Sequence, residues 1–124
     1  MLRMTSKRAT LSYKLELVVR AEKYINDNYS KKKISWHSVA AHLQCRPWLL
    51  YHAFLRFRPY SVKEYINDVR IRAVINEFKR DKDICFKATI PRVSHMSTSQ
   101  FARKIKKATG LTLTQFYDQC KQHE

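Results

Sequence analysis

The chain has 124 residues, of which 44% are hydrophobic, enough for one compact domain or two very small ones. One glycine, three prolines and no sustained period-2 alternation argue against a sheet and for an all-α fold. A net charge of +15, from 25 Lys+Arg against 10 Asp+Glu, is the electrostatic footprint of a polyanion partner, nucleic acid above all.

Residues 1–14 read as a basic N-terminal arm with no apolar run for a signal peptide. Nowhere is there a run of about 18 apolar residues to cross a membrane. Cys45, Cys85 and Cys120 cannot all pair and form no CxxC, which points to a reduced cytoplasmic compartment. His42-x-x-Cys45 lacks a second ligand pair at finger spacing, so neither a metal nor a cofactor is expected. A Gly-rich phosphate loop is missing, as is a nucleophile with a base at motif spacing, so an enzyme is not expected.

The first subdomain is expected over residues 15–60. Leu15, Val18, Ala21, Tyr24, Ile25 and Asn28 lie near one face of a helix predicted from Leu15 to Tyr29. Lys31-Lys32-Lys33 follows as a basic loop suited to phosphate contact. Ser35 caps a short helix, Trp36 to Leu43, expected to bury Trp36, Val39, Ala40 and Leu43. Gln44-Cys45-Arg46 is a turn, and Pro47 suits the first position of the next helix, where a missing N–H costs nothing. That helix runs to about Phe57 and stops before Pro59, giving a helix-turn-helix layout. Its core face is Leu50, Ala53, Phe54 and Phe57; Trp48 and His52 lie opposite, flanked by Tyr51, Leu55 and Arg56. A tryptophan there either packs on a neighbour or enters a major groove against thymine methyls.

Residues 61–80 read as a linker helix opened by a Ser61-x-x-Glu64 capping box. It carries two apolar stripes, Val62, Tyr65, Ile66 and Val69, then Ile71, Val74, Ile75 and Phe78, as a helix shared by two cores would. The second subdomain is expected over residues 81–124, beginning with an Asp81-Lys82-Asp83 loop and drawing core from Ile84, Phe86, Ile90 and Val93. Pro91 is unwelcome inside a helix, so its first helix is expected to be short, displaced or late, with a degenerate turn at Ser94-His95. Another capping box, Ser97-x-x-Gln100, opens the next helix, with Phe101, the Lys104 stem, Ile105 and Ala108 inward and Ser99, Gln100, Arg103, Lys106 and Lys107 outward. Gly110 ends it, and Thr112-x-x-Gln115 starts a last helix closed by Phe116 and Tyr117. An offset of 51 positions superposes the two halves: Trp48 on Ser99, Leu50 on Phe101, His52 on Arg103, Phe54 on Ile105, Pro59 on Gly110, Ser61 on Thr112.

The run Val39-Ala40-x-x-Leu43, Pro47-x-x-Leu50-x-x-x-Phe54, Ser61-x-x-Glu64-Tyr65-Ile66 and Arg70-Ile71 resembles the DNA-binding domain of the AraC/XylS family of bacterial transcription regulators. Ser97-x-Ser99-x-Phe101-x-Arg103-x-x-Lys106-Lys107-x-Thr109-Gly110-x-Thr112 resembles that family's C-terminal signature. The match covers roughly Leu15 to Tyr117 and is of the stand-alone type without an effector domain. The resemblance implies about seven helices in two helix-turn-helix subdomains on a linker helix, with recognition helices (about 47–57 and 98–108) in successive major-groove turns. It implies a cytoplasmic, nucleoid-associated monomer on duplex DNA that activates transcription through RNA polymerase. Eighteen residues of linker helix span ~27 Å at ~1.5 Å per residue, which suits two readers about one DNA turn apart. Trp48, Tyr51, His52, Ser99, Gln100 and Arg103 are then the expected base contacts. Lys31, Lys32, Lys33, Arg46, Arg56, Arg58, Lys106 and Lys107 are the expected phosphate contacts. The first subdomain is expected to do most of the base reading. The rival is a protein-interaction regulator that binds RNA polymerase or another transcription factor and uses DNA only weakly.

Overall fold

The computed structural model describes residues 10–31, 34–80 and 85–122. Among them the chain is all-α, with α1 (Leu11–Asn28), α2 (Trp36–His42), α3 (Pro47–Phe57), α4 (Val62–Arg80), α5 (Phe86–Ser94), α6 (Thr98–Thr109) and α7 (Leu113–Gln122). It divides into two compact units, Met1–Ile66 and Asn67–Glu124, with the boundary just inside α4 rather than at either end of it. The expected Asp81-Lys82-Asp83 loop, Ile84 and the side chain of Phe86 lie outside the described residues, as do residues 1–9.

In the first unit α1 begins at Leu11, four residues before the predicted start. The Thr10 hydroxyl accepts from the Tyr13 N–H at 3.1 Å and caps it, so residues 11–14 are helix rather than arm. The buried face is Leu17, Val18, Ala21 and Ile25; Leu15, expected inside, is 40% exposed. α2 is opened by a reciprocal pair of serines: Ser38 N–H donates to Ser35 Oγ (3.2 Å) and Ser35 N–H to Ser38 Oγ (2.8 Å). Val39, Ala40 and Leu43 pack inside with Leu50, Ala53 and Phe54 of α3. Trp36 does not join them; it stays half-buried at the start of α2. Burying Phe54 fully contributes about 2 kcal/mol.

α3 ends at Arg58, which is extended (φ −134°, ψ 151°) because the following Pro59 disfavours helical backbone there. Arg58 was expected on phosphate, but its guanidinium is committed inside the unit. Nε donates to Glu22 Oε2 at 2.8 Å and Nη2 to Glu22 Oε1 at 2.9 Å, while Tyr60 Oη donates to the same carboxylate at 3.1 Å. This tie joins α1 to the end of α3. The Arg58 and Tyr60 hydrogen bonds hold the Glu22 carboxyl below its ordinary value, against the opposing effect of burial.

The second unit takes most of α4. Val74 and Phe78 share a core with Ile90, Met96, Phe101, Ile105, Tyr117 and Cys120, and Ile71, Ile75, Val93, Leu113 and Phe116 pack against it. Val62 and Ile66, at the start of α4, are buried in the first unit. Two of the three expected capping boxes form in full: Glu64 N–H donates to Ser61 Oγ and Ser61 N–H to Glu64 Oε1, and Thr112 and Gln115 repeat the exchange. At Ser97 only the hydroxyl half forms, the Gln100 N–H donating to Ser97 Oγ. Ala108, expected inside, is exposed.

Two of the three alternatives raised for Pro91 are corrected. α5 has nine residues and α2 seven, so the supporting helix of the second unit is neither short nor late. Proline removes the N–H that would bond the Lys87 carbonyl, and the Thr98 hydroxyl donates to that carbonyl instead, at a long 3.4 Å. The turn at Ser94-His95 is held by hydrogen bonds of its own. Ser94, fully buried, donates from Oγ to the Ile90 carbonyl at 2.6 Å and accepts from the Met96 N–H at 3.1 Å. His95 adopts left-handed backbone with φ 60°, and Gln44 does so with φ 58°. These two positions are 51 apart, the offset of the sequence repeat. Each closes its helix with its own N–H, Gln44 to Ala41 (3.1 Å) and His95 to Pro91 (3.0 Å).

Left-handed backbone costs a residue with a Cβ roughly 1–2 kcal/mol, and glycine returns part of that as unfolded-state freedom. Gln44→Gly should therefore stabilise the protein by ~0.5–1 kcal/mol, and Gln44→Val and His95→Val should destabilise it. Urea denaturation checks this; a Val variant at either position that is as stable as wild type would mean that its turn does not depend on left-handed backbone. Glu22→Gln should cost about 2 kcal/mol, the loss of a charged acceptor shared by three donor groups on two side chains. Because the folded-state pKa of Glu22 is depressed, its contribution is complete above the ordinary value of 4.5 and is lost as pH falls through the lower folded value. Thermal melts should show the gap between wild type and Glu22→Gln closing as pH falls below about 4.5.

Candidate nucleic-acid interface

Burying Leu50, Ala53 and Phe54 fixes how α3 is rotated, and the opposite face carries Trp48, His52, Leu55 and Arg56 into solvent with Tyr51 at its edge. Trp48 is 63% exposed. It nevertheless has ring partners: Tyr51 edge-on at 5.3 Å, His52 stacked at 5.6 Å and Trp36 edge-on at 5.9 Å between centroids. Trp36 also meets Tyr51 at 5.5 Å and His37 at 4.2 Å. Trp48 therefore packs on neighbours and stays exposed at the same time. A contiguous set of five aromatic rings from α2 and α3 holds it while leaving most of it open. Such edge and offset contacts contribute about 0.5–1.5 kcal/mol each and restrict the rotamers of an otherwise free side chain.

Trp36 and His37 were not expected in this cluster. Trp36 lies three residues before Val39 and four before Ala40, the spacing of the core face. Periodicity along α2 contains no information on where α3 begins, and α3 begins beside Trp36. Of the expected phosphate contacts in this unit, Lys31, Arg46 and Arg56 are exposed, and the Arg56 guanidinium lies 5.6 Å above the Phe57 ring. Lys32 and Lys33 lie outside the described residues. His42 stacks on Tyr24 at 4.0 Å, and burial raises the pKa of the Cys45 thiol.

In the second unit Phe101 and Ile105 are buried, so Ser99, Gln100, Arg103, Lys106 and Lys107 emerge on the solvent side of α6, as the sequence predicts. The Ser97 hydroxyl accepts from the Gln100 N–H at 3.1 Å and starts the helix; Gly110, with φ 80°, ends it. An open groove of about 750 Å³ runs along α6 to Thr112 and Leu113. Arg103, Lys104, Lys106 and Lys107 line it, and among the described residues none of them has an ion-pair partner.

Charge is segregated along the chain. No Asp or Glu lies between Asp27 and Glu64, nor between Asp83 and Asp118. Those two acid-free stretches contain α2 with α3 and α5 with α6. The acids sit instead on α1, α4, α7 and in residues outside the description. A net charge counted over the whole chain hides this segregation, whereas a charge plot along it would have found both faces.

No helix among the described residues is long and apolar enough to cross a membrane. Comparison with protein families, with curated proteins and with solved structures finds no match to this chain.

Because these side chains point outward, removing them should leave the fold standing. Arg103→Ala and Lys107→Ala should shift stability by no more than about 0.5 kcal/mol, and Trp48→Ala by about 1.5–2 kcal/mol, its three ring contacts each lying at the low end of their range on this exposed face. Phe101→Ala, in the core behind the same face, should cost ~3–5 kcal/mol. Denaturant midpoints for the four variants check the assignment; a Trp48→Ala loss as large as that of Phe101→Ala would place Trp48 in the core.

Proposed function

We propose that the chain is a sequence-specific duplex-DNA-binding transcription regulator of the AraC/XylS type. In this reading α3 and α6 are recognition helices that enter successive major-groove segments. The observation that carries it is the pairing of two outward helix faces, each following a left-handed turn at the same repeat position and each within an acid-free stretch. Cations on those faces neutralise phosphates and release counterions, so affinity falls linearly in log salt. Lys31, Arg46, Arg56, Lys106 and Lys107 supply that sequence-independent part; Lys32 and Lys33 join them in the proposal. Trp48, Tyr51 and His52 read bases in one groove segment, and Ser99, Gln100 and Arg103 in the next. Trp48 and its ring neighbours present flat apolar surface that suits a thymine methyl, and the Arg103 guanidinium suits guanine O6 and N7. The protein binds as a monomer in the bacterial cytoplasm and activates transcription through RNA polymerase.

α5 is a nine-residue helix and the second turn has the same left-handed backbone as the first, which supports proposing both units as readers.

Fluorescence anisotropy on duplexes from a selected site tests this. Lys106→Ala or Lys107→Ala should weaken all sequences alike and lower the salt slope by about one. Replacing thymidine by deoxyuridine in the first half of the site should cost wild type about 1 kcal/mol and cost Trp48→Ala nothing. Arg103→Ala should erase discrimination at one guanine. A flat salt response, or equal affinity for single-stranded RNA, would reject the proposal.

A further inference from the structure

The groove beside α6 has more apolar surface than phosphate binding requires. Its surface is mostly carbon, with Ala102 and Leu113 among its lining, while Arg103, Lys104, Lys106 and Lys107 supply four cations. A DNA backbone needs the cations and gains nothing from the apolar part. The groove is also open, and a small ligand normally buries most of its surface in a closed pocket. An open apolar groove bordered by one sign of charge suits an extended occupant whose own charge is opposite and whose anchors are apolar. We infer that the groove formed by α6 and the start of α7 is a docking site for an acidic amphipathic helix of a partner protein. Its leucine or phenylalanine anchors would lie against Ala102 and Leu113, and its carboxylates would face Arg103, Lys106 and Lys107.

Charge complementarity carries the choice of occupant. The stretch from Asp83 to Asp118 contains no acid between its ends, and the four cations have no ion-pair partner among the described residues. A second copy of this chain is a poor occupant, because each copy has a net charge of +15. Arg103, Lys106 and Lys107 are also the residues proposed for DNA, so a bound helix would cover the face that the duplex needs. Such a partner would act as an antagonist of DNA binding. The inference does not depend on the DNA proposal, since the groove and its charge exist without it.

The test uses the full chain and a labelled synthetic peptide rich in Asp and Glu, with Leu and Phe at i, i+3, i+4 and i+7. The control is a permuted peptide of the same composition, whose charge is identical and whose apolar face is destroyed. In anisotropy titrations the ordered peptide should bind roughly tenfold more tightly than the permuted one. Ala102→Gln fills the groove without changing charge and should bring the two peptides to equal affinity, with an unchanged circular dichroism spectrum. Equal binding of the two peptides to wild type would reduce the interaction to charge alone and overturn the inference. A preference that survives Ala102→Gln would place the peptide elsewhere and overturn it too. Duplex DNA is titrated separately, so failure of the duplex leaves the groove standing and failure of the peptide leaves the DNA proposal standing. Where both bind, saturating duplex should displace the peptide; a peptide that remains bound would overturn the shared face.

Discussion

Everything proposed for this chain depends on how two short helices are rotated about their own axes. A helix has one rotational degree of freedom against its support, and a pair of apolar side chains four residues apart removes it. In α3 the pair is Leu50 and Phe54; in α6 it is Phe101 and Ile105, and all four are almost entirely buried. With those anchors inside, Trp48 and His52 in one unit and Ser99 and Arg103 in the other have nowhere to point but outward. The anchoring holds only if each helix starts in the right place. The left-handed residues Gln44 and His95 set that place by reversing the chain two residues before the caps of α3 and α6. A slip of one residue in either turn would rotate the helix by about 100° and carry the charged face into the core.

The two units reach this arrangement with different side chains, which is informative about what the arrangement requires. Where the first unit has Leu43 before its turn, the second has Ser94, which replaces apolar packing by two hydrogen bonds to nearby backbone. Where the first unit starts its exposed helix with Pro47, the second uses Ser97 as a hydroxyl cap. The first ends α3 by the steric restriction that Pro59 places on Arg58; the second ends α6 with a left-handed Gly110. The shared elements are the turn conformation, the anchor spacing, the capping box after the breaker and the absence of acids. The first three position a face, and the last gives it one sign of charge.

Much of this was legible in the sequence because it is encoded locally. Capping boxes, Pro47 at a helix start and the spacing of Leu50 with Phe54 involve residues within one or two turns of each other. What escaped was non-local or compensated. Arg58 looks like a free cation until Glu22, 36 positions earlier, is brought to 2.8 Å from it. Trp36 has core spacing within its own helix, and only the arrival of α3 turns it into part of an exposed aromatic set. Pro91 breaks a local rule, and Thr98, on the next helix, satisfies the carbonyl that the proline strands. Leu15 lies about 110° round α1 from the middle of the face that Leu17, Val18, Ala21 and Ile25 bury, so it stays at the edge of the core. The face of α6 was read correctly apart from Ala108, whose place near the helix end puts it beyond the core.

The central claim is that both outward faces read bases in one duplex. Selection of bound sequences from a random duplex pool, carried out in parallel with wild type, Trp48→Ala and Arg103→Ala, tests it most directly. The account predicts that wild type enriches one site with two separate specified segments. It predicts that Trp48→Ala loses specification in one segment only, and Arg103→Ala in the other only. Retention of DNA by wild type without enrichment of any sequence, or loss of the same segment in both variants, would contradict it.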